Sequence, residues 1–156
     1  ALRSRKEILS ERLLALLLKK TEILTEAVNV AAYLPAKDFE FLSTFAKAAA
    51  DKSNFSFSDI RAAVPAELRA RLDFLYMLGD WEIGKAGSDF DLGGEIIAVA
   101  KEIEREHYKE SLLKIGAEIK KCEAESLNPD NLTKEFQNIS KKLNNLSKIK
   151  SNGEKI

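Results

Sequence analysis

The sequence has little of what marks a secreted protein, a membrane protein or an enzyme. Its one cysteine, Cys122, excludes an internal disulfide. Its longest apolar run, Leu13–Leu18, is closed by Lys19 and Lys20 and is far too short to cross a bilayer. No charged and then apolar leader is present, so we expect a cytoplasmic protein. The only methionine is Met77, and we therefore expect the chain to be a piece of a longer protein.

The composition suits one soluble helical domain, or one domain with a small appendage. Hydrophobic residues make up 45% of the 156 and charged residues 32%, with only three prolines. Net charge is zero, although residues 1–20 and 108–156 are basic and residues 21–107 are net negative. The basic segments lack interleaved aromatic side chains, so no direct nucleic-acid site is evident.

Capping residues and apolar spacing predict four helices before residue 80. Ser4 and Glu7 form a capping-box pattern that starts a helix reaching about residue 20. Further helices are predicted over residues 22–33, 38–50 and 65–79. Asp38 is expected to cap the third helix, and Leu34 before Pro35 ends the second. Ser58 is expected to start a single turn ahead of the fourth.

The glycine-rich stretch 79–94 is predicted to be a loop, with Trp81 and Phe90 packed onto the bundle. Acidic residues surround it, but they lack the alternating Asp/Asn positions and the terminal glutamate of a calcium loop, so no metal site is expected. Asp91 is better explained as a helix N-cap, with Glu95 favouring the helix dipole.

One long helix is predicted from about residue 91 to 126, with two apolar faces about 130° apart at 100° per residue. The first face carries Ile96, Val99, Ala100, Ile103 and His107, and the second carries Tyr108, Leu112, Ile115, Ile119 and Cys122. A final helix over 130–150 has the same spacing at Leu132, Phe136, Ile139, Leu143 and Leu146. Antiparallel pairing of these two stripes predicts a hairpin with its own seam.

The fold predicted is therefore all-α: a helical bundle over residues 1–107, a long shared helix, and an antiparallel C-terminal hairpin over 108–156. A hairpin that projects from the bundle would be marginal alone and suited to docking, whereas one that folds back would complete a single bundle. Leu113, Leu127 and Ile149 lie off the seam or near its ends, and they are the docking candidates.

No residue pattern indicates catalysis. His107 is the only histidine and sits where the long helix changes face, which favours a junction role over a general base. Cys122 falls on the seam, fifteen residues after His107 on the same helix, so the two side chains cannot form a Cys–His dyad. No phosphate-binding glycine loop follows a strand. We expect no enzyme activity and no cofactor in this chain.

With the bundle and hairpin placed, the sequence resembles the C-terminal helicase-binding domain of bacterial DnaG-type DNA primases almost end to end. Glu11–Leu18 (ERLLALLL) is similar to that family's opening helix, and Leu112–Ile119 (LLKIGAEI) and Lys134–Leu143 (KEFQNISKKL) are similar to its terminal hairpin. Thr21 departs from the family, which often has a proline-containing turn at this place.

The resemblance implies an adaptor that holds primase to the N-terminal domain of the replicative helicase and stimulates it, with primer synthesis in domains outside this chain. Phe136 and Lys141 join the three docking candidates as implied partner contacts. The acidic tail of single-strand-binding protein is a further implied partner, with Arg3, Arg5, Lys6 and Arg12 as its candidates. The chain is expected to be a monomer alone. The alternatives are a helicase N-terminal-type domain and a self-associating helix bundle.

Overall fold

A computed structural model describes residues 2–20, 30–50 and 56–153, and the side chains of all of these except 48–50 and 148–153. The described residues form six α-helices and two short 3₁₀ turns, with no strand among them, so the all-α prediction is confirmed. The helices are α1 (Arg5–Leu17), α2 (Ala36–Ala50), α3 (Phe57–Ala63), α4 (Arg69–Ala86), α5 (Leu92–Ala124) and α6 (Asp130–Gly153). The 3₁₀ turns are Ala31–Tyr33 and Ala66–Leu68.

Helix α1 is the central helix of the first part of the chain. The predicted capping box is confirmed: the Ser4 hydroxyl accepts from the Glu7 N–H at 3.2 Å, and the Glu7 carboxylate accepts from the Ser4 N–H at 2.7 Å. Every residue from Leu13 to Leu18 is buried. A helix buried on most sides must be surrounded by other elements, which is the arrangement its leucines predict.

Helix α2 begins two residues before the predicted cap. Residues 22–29 of the predicted 22–33 helix lie outside the described residues, and Leu34 is extended with ψ 151° ahead of Pro35. The Pro35 carbonyl accepts from the N–H groups of Asp38 and Phe39, each at 2.9 Å, so α2 starts at Ala36. Asp38 as an N-cap was therefore wrong, because Pro35 supplies the first helical carbonyl and Asp38 lies inside the first turn.

Helices α3 and α4 also differ from their predicted bounds. Ser56, not Ser58, caps α3 in a capping box with Asp59. Helix α4 continues through Gly79 to Ala86, so the predicted loop over 79–94 was wrong at its start, and the non-helical residues are 87–91. A Cβ at Gly79 would lie 2.7 Å from the Ala15 carbonyl oxygen, so this glycine permits close approach of α4 to α1 rather than a turn.

The chain ends α4 at Gly87, whose φ of 88° favours glycine, and starts α5 five residues later. Asp91 caps α5 as predicted, its carboxylate accepting from the Gly94 N–H at 3.1 Å. Phe90 packs against the core as expected, but Trp81 is 58% exposed and was wrongly placed there.

The chain divides into two compact units between Ile103 and Glu104, whereas the prediction placed the division after His107. We call residues 1–103 the N-terminal unit and residues 104–156 the hairpin unit. Helix α5 supplies residues to both. The buried apolar core of the N-terminal unit draws on α1, α2, α3, α4 and the first third of α5, with the leucines of α1 at its centre.

The hairpin unit pairs the second part of α5 with α6. The Phe136 ring comes within 4.0 Å of the position a Cβ would take on Gly116, and Ile115 and Ile139 line one groove, which fits the predicted antiparallel register. All ten predicted seam residues are buried or half-buried, so the seam is confirmed. Ser126, at φ 57°, closes the turn, and the Leu127 N–H donates to the Cys122 carbonyl at 2.8 Å.

Candidate interaction surfaces

The predicted docking residues fall into two groups in the hairpin unit. Leu113 is 78% exposed on the side of α5 away from the seam, and Leu127 is 56% exposed in the turn after α5. Fourteen residues separate them, which is roughly 20 Å along a helix, so they are two separate contact points. Both present large apolar side chains to solvent, as a docking role requires.

The other three predicted contacts differ from this pair. Phe136 is half-buried in the seam against Gly116, so its ring already has a partner within the hairpin unit. Lys141 is exposed on the outer side of α6. The side chain of Ile149 lies outside the described residues.

The seam residues of the hairpin unit are only partly covered. Tyr108 and Ile115 are the two that are buried, while Leu112, Ile119, Leu132 and Leu143 are among those half-buried. A shallow groove along one side of the seam is lined by Ser111, Lys114, Ile115, Glu118, Glu135 and Ile139. Two helices can bury only one stripe of each other, which leaves apolar surface at both edges of the seam.

His107 and Tyr108 make structural contacts at the start of the hairpin unit. The Tyr108 hydroxyl donates to the Glu104 carboxylate at 2.8 Å, and the His107 carbonyl accepts from the Ser111 hydroxyl at 3.0 Å. The two rings lie 5.8 Å apart, tilted by 56°. Cys122 is half-buried on the seam. None of these contacts joins a nucleophile to a base.

The arginines predicted to hold an acidic tail form ion pairs within the N-terminal unit. Arg3 lies 2.9 Å from Glu11, and Arg5 lies 3.0 Å from Glu102. Arg12 lies between two carboxylates, 2.8 Å from Glu95 and 3.4 Å from Glu82. Lys6 is half-buried on the same helix. An acidic ligand at this place would have to displace carboxylates that are already bound, which lowers the gain from binding.

A row of exposed apolar residues on α4 was missed at the sequence level. Phe74, Met77 and Trp81 are 54%, 69% and 58% exposed and follow one another at spacings of three and four. The Lys85 ammonium lies 4.8 Å from the centre of the Trp81 ring. The row was missed because Trp81 was assigned to a loop once Gly79 was read as a helix end.

The N-terminal unit also contains a buried polar cluster. Asp38 is 1% exposed; its carboxylate accepts from the Ser10 hydroxyl at 2.9 Å and from the Arg71 guanidinium. The cluster links α1, α2 and α4. The Arg71 guanidinium compensates the charge of the Asp38 carboxylate, which would be costly to bury without a partner.

Glu7 and Arg61 have shifted pKa values. The Ser4 backbone N–H, followed by its hydroxyl, lowers the pKa of Glu7. Hydrogen bonds to Asp73 and the charge of that carboxylate raise the pKa of Arg61. Both shifts follow from local pairing on the surface, so neither marks a catalytic group.

Within the described ranges, no group of three or more His, Cys, Asp or Glu side chains is arranged to hold a metal ion. Among the same residues, no helix is long and apolar enough to cross a membrane. Comparison with known proteins found no matching family model, no matching curated protein and no matching solved structure.

Proposed function

We propose that this chain is a protein-interaction domain that docks a cytoplasmic DNA primase onto the N-terminal domain of the replicative helicase and stimulates that helicase. The observation that supports this most is the hairpin unit, a pair of helices whose seam is only half-covered and which exposes Leu113 and Leu127. Primer synthesis belongs to parts of the primase outside this chain.

Two packed helices leave part of their apolar surface in contact with water. The apolar seam of a two-helix unit is exposed at both edges. Contact of that surface with water costs roughly 25 cal/mol per Å². A helix contributed by a partner can cover one edge and gain that free energy on binding. Protein interfaces concentrate their energy in a few such apolar anchors near the centre of the contact.

The sequence resemblance supplies the identity of the partner. Two of the three segments that carry it, Leu112–Ile119 and Lys134–Leu143, are the facing segments of α5 and α6, and the third, Glu11–Leu18, lies in α1. The candidate contacts are Leu113 and Leu127, with Phe136, Lys141 and Ile149 as further positions of the same unit. A helicase collar made of helices offers the kind of surface that a helical hairpin can join.

Isothermal titration of the intact chain with the helicase N-terminal domain tests the proposal. We expect binding, and we expect the double variant Leu113→Asp, Leu127→Asp to weaken it at least tenfold, which is about 1.4 kcal/mol. The double variant Phe74→Asp, Met77→Asp in the N-terminal unit is the matched control, because these two apolar residues are similarly exposed. Absence of binding by the unmodified chain, or equal losses in both variants, would contradict the proposal.

The half-covered seam also suits a second candidate, a structural bundle in which two copies pair through their hairpins. Light scattering across a range of protein concentrations separates the two. A mass that stays at 17.4 kDa removes the self-associating bundle, whereas a concentration-dependent dimer supports it.

A further inference from the structure

The groove along one side of the hairpin unit's seam has an apolar floor and a charged rim. The buried Ile115 and the half-buried Ile139 form its floor. Glu118 of α5 and Glu135 of α6 line its rim, and both side chains are exposed. The groove has a volume of about 220 Å³, which is below the roughly 300 to 1,000 Å³ of pockets that hold small molecules. It therefore suits anchoring side chains of a macromolecule.

The rim charges give the groove an acidic end and a basic end. The antiparallel register of the seam places Glu118 and Glu135 at the same end. At the other end, Lys114 lines the groove one turn before Glu118, and the exposed Lys142 lies two turns after Glu135 on the same side of α6. Among the described residues, none of these four side chains forms an ion pair with another. All four charges are therefore available to pair with a ligand.

The opposite edge of the seam is different. At 100° per residue, α6 presents Thr133, Ser140 and Ser147 along that edge. None of the three is charged, and the hydroxyls of Thr133 and Ser147 donate to the Pro129 and Leu143 carbonyls at 3.1 and 3.4 Å. The groove is thus the edge at which both helices present charge.

We infer that this groove receives one amphipathic helix of the helicase N-terminal domain. Apolar side chains of that helix pack on Ile115 and Ile139. Its basic side chains pair with the acidic end of the groove and its acidic side chains with the basic end, one to two helical turns away, or roughly 6 to 10 Å. The inference rests on the proposed function, since it identifies the kind of helicase segment that the hairpin unit holds.

The shape and charge of the groove favour a helix over other occupants. A groove between two packed helices accepts the apolar stripe of a third helix, whose anchors recur at spacings of three and four. A peptide that binds as a strand needs a sheet edge, and the described part of the hairpin unit contains no strand. The two carboxylates at the acidic end repel the phosphates of a nucleic acid.

Isothermal titration of the helicase N-terminal domain into charge-exchange variants of the intact chain tests the inference. The variant K114E/E118K exchanges the two charges that α5 contributes to the groove and leaves the net charge unchanged. It also places a glutamate four residues before a lysine, which is the stabilising order on a helix. We expect the affinity to fall at least fivefold at about 50 mM salt, and by less at about 500 mM, because salt screens exposed charges.

The matched control is K120E/E123K, which makes the same exchange with exposed residues of α5 on the other side of the seam and should retain the affinity of the unmodified chain. Circular dichroism should show unchanged helix content in both variants. In NMR spectra of the unmodified chain, the methyl signals of Ile115 and Ile139 should shift when the helicase domain is added.

The outcomes separate this inference from the proposed function. If the unmodified chain binds the helicase domain and the two exchange variants bind it equally well, the groove is not the site, although the docking function stands. Unshifted methyl signals in a formed complex would have the same meaning. Absence of binding by the unmodified chain would remove both proposals. A dimer of the unmodified chain that K114E/E118K dissociates in light scattering would also overturn the inference, because a second copy would then fill the groove.

Discussion

Helix α5 passes through both units, and its residues are buried very differently in each. Ile96, Val99 and Ile103 are buried in the N-terminal unit, whereas Leu112 and Ile119 are only half-buried in the hairpin unit. The residue types are alike, so the difference comes from how many helices surround them. A side chain among several helices loses nearly all contact with water, and one between two helices does not.

The ion pairs of the two units also differ. The N-terminal unit contains the pair of the buried Asp38 with the half-buried Arg71, and several surface pairs. The hairpin unit holds the longer pair of Lys109 with Glu106, at 3.6 Å. The pairs Arg5–Glu102 and Arg71–Asp38 thus join distant segments of the N-terminal unit, whereas Lys109–Glu106 lies within one helix.

Removing one phenylalanine from each unit should give the largest contrast. Phe45 is buried at the core of the N-terminal unit, so Phe45→Ala should cost about 4 kcal/mol through lost burial and a cavity. Phe136 is half-buried, so Phe136→Ala should cost roughly half as much. Amide hydrogen exchange by mass spectrometry measures each unit separately, through peptides from α1 and from α6.

Each substitution should accelerate exchange mainly in its own unit. Phe136→Ala is expected to leave the protection of α1 unchanged, because Phe136 belongs to the hairpin unit. Loss of protection in α1 after Phe136→Ala would show that the two units unfold together, and the comparison between them would then fail.

Charge removal should give the next largest contrast. Asp38→Ala leaves the Arg71 guanidinium and the Ser10 hydroxyl without their buried partner, and we expect a loss of about 3 kcal/mol in the free energy of unfolding. Lys109→Ala breaks a long surface pair of the hairpin unit and should change stability by a few tenths of a kcal/mol. Urea unfolding of the two variants measures both, and similar losses would contradict the contrast.

Glycine-to-alanine changes should have opposite signs in the two units. Gly79→Ala places a Cβ 2.7 Å from the Ala15 carbonyl oxygen, so α4 must move away from α1 at a cost of about 1 to 3 kcal/mol. Gly116→Ala meets only the Phe136 ring at 4.0 Å and should stabilise α5 by about 0.5 to 1 kcal/mol. Thermal melts report both signs, and a stabilised Gly79→Ala protein would disprove the close approach.

Features set by local chemistry were predictable from the sequence. The capping box at Ser4 and Glu7 is a fixed spacing of two residue types, and the seam from Tyr108 to Leu146 is a period of three and four. The same period identified Leu113 as lying off the seam, and Leu113 is exposed. These predictions needed no knowledge of neighbouring helices.

Features set by contacts between distant parts of the chain were not predictable. Gly79 has the same sequence signature as a helix end, but its neighbour across the fold is Ala15. Asp38 has the signature of a cap, but its partners are Ser10 and Arg71. The ion pairs of Arg5 and Arg12 join α1 to α5, and no spacing along the chain indicates them. Ser126 takes a left-handed φ that favours glycine.

The smallest expected effect concerns the helix start of the N-terminal unit and depends on pH. Hydrogen bonds from Ser4 lower the pKa of Glu7, so the folded state prefers the ionised carboxylate. The capping box therefore stabilises the fold above the ordinary glutamate pKa and loses this contribution as the pH falls through the lowered value. Ser4→Ala should raise the pKa of Glu7 towards its ordinary value, as measured by an NMR titration of its carboxyl carbon.

The stability difference between the unmodified chain and Ser4→Ala should shrink on acidification through that lowered pKa. Asn128→Ala is the counterpart in the hairpin unit, where the Asn128 side-chain oxygen accepts from the Asp130 N–H at 3.0 Å at the start of α6. An asparagine side chain does not titrate in this range, so its contribution should not vary with pH through a charge of its own. A pH-independent effect of Ser4→Ala would mean that the Glu7 carboxylate adds nothing to the cap, and the helix starts of the two units would then be equivalent.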